Sequence, residues 1–228
     1  MREQEAYISN EVKQRNHGPH QDQHVLHYGP LLDDAEAVII MVHGRGASAQ
    51  DILSLAYEID LPGTTYIAPQ AKNNTWYPNS FLTPIEKNEP ELSSGLSVID
   101  SIAEILLTKG FSSEQIYLLG FSQGACLSLE YAARNPRKYG GIFALSGGLI
   151  GEVLNQNNYS GNFEGTEVFL GCSDVDPHIP LERVNQTEEI FKKLGANVTK
   201  RIYKGMAHTV NQDEIEFIKS SIKVKIEK

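Results

Sequence analysis

Continuous apolar runs alternate with amphipathic segments along most of this chain. Residues 38–42 read Val-Ile-Ile-Met-Val, a run suited to a strand buried on both faces, and residues 49–59 space their apolar positions as a helix does. The same reading predicts strands over 65–68, 115–119, 141–145, 167–171 and 197–203. It predicts helices over 95–107, 125–133 and 181–194, and a last one from about residue 212. In the 95–107 helix Val98, Ile99, Ile102, Ile105 and Leu106 share one side. Strands alternating with helices imply an α/β fold, a mostly parallel central sheet with helices on both faces. No segment is left over for a large separate lid. Residues 25–228 are therefore expected to form a single domain, preceded by a polar N-terminal arm over 1–24 that is loose or serves as a cap.

Two stretches break the alternation. Residues 71–91 carry Trp76, Tyr77, Pro78, Phe81, Leu82 and Pro84 among polar residues, and 147–165 is rich in Gly and Asn. Loops of such length in a compact domain often bear function, so both are expected over the site.

Composition narrows the classes. A chain of 228 residues buries a core without disulfides or metals, and Cys126 and Cys172 beside apolar runs read as buried free thiols. The formal charge of −9 disfavours nucleic acid or an anionic membrane surface as the main partner. No apolar run approaches the roughly 18 residues that span a bilayer, and residues 1–22 lack the apolar centre of a secretory signal. A cytoplasmic protein acting on a small molecule is the expectation, and the pattern leaves a homodimer open.

The strongest chemical signal is Gly120-Phe121-Ser122-Gln123-Gly124, a G-x-S-x-G turn between the 115–119 strand and the 125–133 helix. That context describes a nucleophile elbow, with glycines where side chains would collide with neighbouring backbone. A serine hydroxyl needs a base and a group that orients the base. His208 follows the last predicted strand, and Asp174 and Asp176 follow the one before it, so all three lie at the sheet edge where α/β proteins place ligands. The order Ser, Asp, His is that of α/β-hydrolases, and either aspartate suits it. The backbone amides of Gln123, after the nucleophile, and of Arg45, in His43-Gly44-Arg45-Gly46, are the expected oxyanion donors. The Arg45 side chain is expected in a surface ion pair or against an anionic substrate group. Trp76, Tyr77, Phe81, Leu149 and Ile150 are candidate pocket walls.

Gly44 to Ala49 also satisfies G-x-G-x-x-A after a strand, the dinucleotide fingerprint. The next strand ends at Pro69-Gln70 without the acidic residue that holds a ribose, which argues against that reading. His17, His20, His24 and His27 lack convergent thiols or carboxylates, so no metal is expected. His43 and His178 read as supporting or rim residues.

These motifs resemble the phospholipase/carboxylesterase family of α/β-hydrolases, which includes bacterial carboxylesterases and acyl-protein thioesterases. The resemblance runs from about residue 38 to the C-terminus, through His43-Gly44-x-Gly46, the Ser122 elbow, Asp176-Pro177-His178-Ile179-Pro180 and Tyr203-Lys204-Gly205-Met206-Ala207-His208. Matching the family's D-P-x-V-P element selects Asp176 over Asp174 as the acid. The thioesterase branch reads H-G-L-G-D where this chain has an arginine and an alanine, a departure that weakens the case for protein depalmitoylation. Residues 76–84 look like an aromatic lip of a bacterial-type branch. The resemblance implies a serine hydrolase cleaving carboxylic esters, thioesters or lysophospholipid-like esters through an acyl-enzyme, with no metal or organic cofactor. A peptidase or acyltransferase on the same triad, and a non-catalytic binding module on a hydrolase fold, are the alternatives.

Overall fold

The computed structural model describes residues 4–5 and 8–226. Strand β1 (Gln4–Glu5) and helix α1 (Ser9–Arg15) precede β2 (Val25–Tyr28), β3 (Ala37–Val42), α2 (Ala49–Ile59), β4 (Thr64–Pro69) and α3 (Glu91–Thr108). Then come β5 (Ile116–Phe121), α4 (Gln123–Arg134), β6 (Gly141–Leu145), β7 (Glu167–Ser173), α5 (Leu181–Lys193), β8 (Asn197–Tyr203) and α6 (Gln212–Ile226). The strands form one sheet in the order β1-β2-β4-β3-β5-β6-β7-β8. From β4 to β8 every pairing is parallel; at one edge β2 alone runs against the others, pairing antiparallel with both β4 and β1. The described residues include no separate lid domain.

Strand period two explains how one sheet carries two cores. Val38, Ile40 and Val42 face one side with α1, α3, α4 and α5, while Ala37, Ile39 and Met41 face the other with α2 and α6. Helix α2 begins at Ser48, whose hydroxyl accepts from the Asp51 amide while the Asp51 carboxylate accepts from the Ser48 amide.

The predicted strands and helices recur with ends shifted by a few residues, α3 beginning at Glu91 and not at 95. The N-terminal arm requires a larger correction. Its described residues from Ile8 onward are built into the domain: Ile8 and Val12 join the core, and His20 is buried with its amide donating to Ser94 Oγ on α3. A polar stretch can pack this way because Ile8, Val12 and His20, with the small polar residues Ser9 and Asn16, turn inward, the Ser9 hydroxyl accepting the Val25 amide.

A candidate active site at the ends of the central strands

Ser122 closes β5 and opens α4 with φ 55° and ψ −120°, a left-handed conformation that costs a non-glycine residue on the order of 1–3 kcal/mol. Its amide donates to Leu145 O at 2.9 Å, and the neighbouring glycines make the turn feasible. A Cβ at Gly124 would run into the Val42 carbonyl oxygen, and one at Gly120 into the Gly124 carbonyl.

Three chain segments converge on this hydroxyl. His208 Nε2 lies 2.8 Å from Ser122 Oγ, and His208 Nδ1 lies 2.7 Å from Asp176 Oδ2. An ionised carboxylate only accepts, so the imidazole proton sits on Nδ1 and the Nε2 lone pair receives the serine O–H. The Asp176 side chain is fully buried. Burial opposes its ionisation, but the His208 ring and the His178 and Ile179 amides donate to it and hold its carboxyl below the ordinary value. Asp174 is not the partner of His208. Its Oδ1 accepts the Gly205 amide at 2.7 Å and so anchors the loop that carries His208. The His208 ring is also flanked by Phe121 and His178, both with centroids 4.9 Å away.

Gln123 and Arg45 both border the cavity above Ser122. The Gln123 amide is the first of α4, where a helix has no carbonyl of its own to offer and carries the positive end of its dipole. The Gln123 side chain has a second task that the motif did not signal: Oε1 accepts from the Trp76 amide and Nε2 donates to Tyr77 O, both at 2.8 Å. The Arg45 side chain does something other than either expectation. Its guanidinium donates to the carbonyls of Pro78 and Asn79 at 2.8 and 2.6 Å and not to a carboxylate, because the lip loop presents two carbonyls at fork spacing.

The cavity measures about 460 Å³ and is walled by Tyr77, Pro78, Phe81, Phe121, Cys126 and Ile179, with Asn79, Ser80 and His178 adding polar groups. Of the five candidate walls, Tyr77 and Phe81 line this cavity. Trp76, Leu149 and Ile150 do not line it. Trp76, at the base of the lip, is fully buried, its indole N–H donating to His43 O at 2.9 Å. Leu149 and Ile150 are buried in the core, and their amides donate to Thr187 and Glu130. The 147–165 loop accordingly lies behind the lip, not over the site. Glu130 and Arg183 clamp it, and the Gly151 amide donates to Phe81 O. Aromatic or aliphatic residues in a loop signal burial, but not which cavity they face.

Two histidines support the lip from below. The Trp76 ring has His20 on one edge at 5.3 Å and His43 at 5.1 Å. His20 Nε2–H donates to Trp76 O and its Nδ1 accepts the Lys72 amide; His43 Nδ1–H donates to Gly44 O and its Nε2 accepts the Ala71 amide. Both rings are therefore neutral, and burial lowers both pKa values against the hydrogen bonds to Trp76 O and Gly44 O that raise them. A ring nitrogen that accepts an amide N–H cannot take a proton without losing that bond. His20→Gln keeps one donor and one acceptor without titrating. Because the folded pKa is depressed, the histidine's contribution is intact above about pH 6.5 and is lost as pH falls below it, at a limiting slope of about 1.4 kcal/mol per pH unit. Urea midpoints at pH 8 and pH 5.5 are expected to show the variant gaining on the wild type at the lower pH. Equal pH dependence in both proteins would contradict this assignment.

Across the described residues no group of three or more His, Cys, Asp and Glu side chains is placed to hold a metal, and both His20 ring nitrogens are used by backbone. The start of α2, where a dinucleotide pyrophosphate would sit, is occupied by the Ser48–Asp51 pair and by Gln70 Oε1, which accepts the Ala49 amide at 2.9 Å. Cys126 and Cys172 are buried and free, and burial pushes each thiol up to about 12. No described helix is long and apolar enough to cross a membrane.

The family model for phospholipase/carboxylesterase matches residues 32–226. The chain belongs to the phospholipase/carboxylesterase family. It is similar to acyl-protein thioesterase 1 of Kluyveromyces lactis, 31% identical over 215 residues that cover 83% of this chain and 94% of the relative. Among solved structures, a phospholipase/carboxylesterase from Dyadobacter fermentans superposes with a TM-score of 0.85 at 43% identity, covering 87% of this chain and 95% of that one. A Bacillus cereus carboxylesterase shares the fold at a TM-score of 0.71 and 17% identity, over 89% of this chain and 94% of its own. The protein is thus an α/β-hydrolase of the esterase type, which sets the binding-module alternative aside.

Proposed function

We propose that this protein hydrolyses small carboxylic esters through an acyl-enzyme formed on Ser122. The observation that carries the reading is the unbroken chain of short hydrogen bonds from Asp176 through His208 to Ser122, at 2.7 and 2.8 Å. His208 Nε2 takes the serine proton as Oγ attacks the ester carbonyl, and Asp176 stabilises the imidazolium. The amides of Gln123 and Arg45 receive the oxyanion, each contributing on the order of 3 kcal/mol. Collapse of the tetrahedral intermediate breaks the bond to the alcohol oxygen, which leaves with the proton from His208. Water then attacks the acyl-serine with His208 again as base, and the acid is released.

An acyl-enzyme makes a definite kinetic prediction. Esters of one acid with different alcohols pass through the same intermediate, so in added methanol they must give the same ratio of methyl ester to free acid. Butyrate esters of p-nitrophenol, phenol and ethanol are suitable substrates, with products measured by chromatography. A ratio that changed with the leaving alcohol would rule out the common intermediate.

A further inference from the structure

The order of the strands divides the cavity into two sides. The Arg45 loop follows β3 and the lip follows β4, on one side of Ser122; His178 follows β7 and His208 follows β8, on the other. The departing alcohol must take its proton from His208 Nε2, so the alcohol part of an ester lies toward β7 and β8. The acyl part lies toward Arg45 and the lip.

That wall is built as a fixed structure. Gln123 holds Trp76 and Tyr77, the buried Asn88 side chain accepts from the Asn79 amide and donates to Ser80 O, and the Gly151 amide holds Phe81 O. The Trp76 indole ties the base of the lip to His43 O, and Arg45 ties its outer part to the oxyanion loop. Arg45 donates to Pro78 O and Asn79 O, with its guanidinium carbon 5.8 Å from the centre of the Tyr77 ring. Charge-assisted bonds from one planar guanidinium to two carbonyls restrain both the position and the angle of the lip. Arg45 is exposed at the mouth of the cavity, so an alkyl chain extending past Tyr77 would have to break both carbonyl bonds and shift the lip to pass.

We propose that Arg45, resting on the hydrolase reading above, is the residue that sets acyl-chain length: its side chain latches the lip across the acyl side of the cavity and restricts the enzyme to esters of short or compact acids. Arg45→Met keeps the stem and the backbone amide but removes both bonds. Arg45→Lys retains a charge that reaches one carbonyl at a time, without the planar fork.

The test is kcat and KM for p-nitrophenyl acetate, butyrate, octanoate and dodecanoate with wild type, Arg45→Met and Arg45→Lys, alongside labelling by a fluorophosphonate. Wild type is expected to fall in kcat/KM from butyrate to octanoate. Arg45→Met is expected to raise the octanoate-to-acetate ratio of kcat/KM at least tenfold, mainly through a lower KM for octanoate, with Arg45→Lys in between. A common factor across all four esters would show a merely structural role and overturn the proposal, as would a wild type that already favours octanoate. Wild type that takes fluorophosphonate label on Ser122 but shows either of those profiles loses the latch and keeps the hydrolase. Wild type that neither labels nor turns over any ester loses both.

Discussion

Ser122→Ala is expected to lower kcat on the best ester roughly a million-fold, His208→Ala by a similar factor, and the double variant by no more than either alone. The reason is that the two side chains act as one unit. Without His208 the serine hydroxyl keeps its proton at neutral pH; without Ser122 the imidazole has no nucleophile to activate. What remains is the contribution of the oxyanion amides and of binding, which neither substitution removes. Ester turnover by the three variants, each purified from cells whose own esterases are accounted for, checks the claim. Additive losses would mean that the two residues work in separate steps, contrary to the 2.8 Å contact between them.

The second large effect separates two aspartates only two positions apart. Asp176→Asn is expected to cost about four orders of magnitude in kcat, the scale found when the orienting acid of a serine triad is made an amide. The introduced side-chain amide would donate to His208 Nδ1, move the imidazole proton to Nε2, and so present an N–H to the serine where a lone pair is required. The side-chain oxygen would still accept the His178 and Ile179 amides, so the loop should keep its shape. Asp174→Asn is expected to stay within a few-fold of wild type, because an amide oxygen still accepts the Gly205 amide. Large loss in Asp174→Asn with little in Asp176→Asn would reverse the assignment.

How much of this was legible in the chain follows from the range of the interactions. The elbow is local: Gly120, Ser122 and Gly124 sit within one turn, and their spacing carries the strand-to-helix geometry. The parallel sheet was legible because β3, β5, β6 and β7 are buried on both faces and read as unbroken apolar runs. Strand β2 was not, since its four residues are mostly half-buried and show neither a run nor a clean alternation. The choice of Asp176 needed the family's motif, because two aspartates after one strand are equivalent until the fold turns one toward His208.

Supporting residues escaped for a different reason. His20 reaches Ser94 and Trp76, Gln123 reaches Trp76 and Tyr77, and Arg45 reaches Pro78 and Asn79, all across separations that no local pattern encodes. One supporting pair did carry a local signal. Asn211 and Glu214, three apart at the start of α6, form a capping pair in which Glu214 Oε2 accepts the Asn211 amide and Asn211 Oδ1 accepts the Glu214 amide. The pair fixes the exit of the loop that carries His208, and burial pushes the Glu214 carboxyl up to about 7.

The central claim is that Ser122 is the nucleophile and that His208 activates it. Its most direct test is peptide mapping by mass spectrometry after reaction with a fluorophosphonate. One adduct per chain is expected, on Ser122 itself, absent in Ser122→Ala and formed far more slowly in His208→Ala. An adduct on another residue, or undiminished labelling of Ser122→Ala, would contradict it.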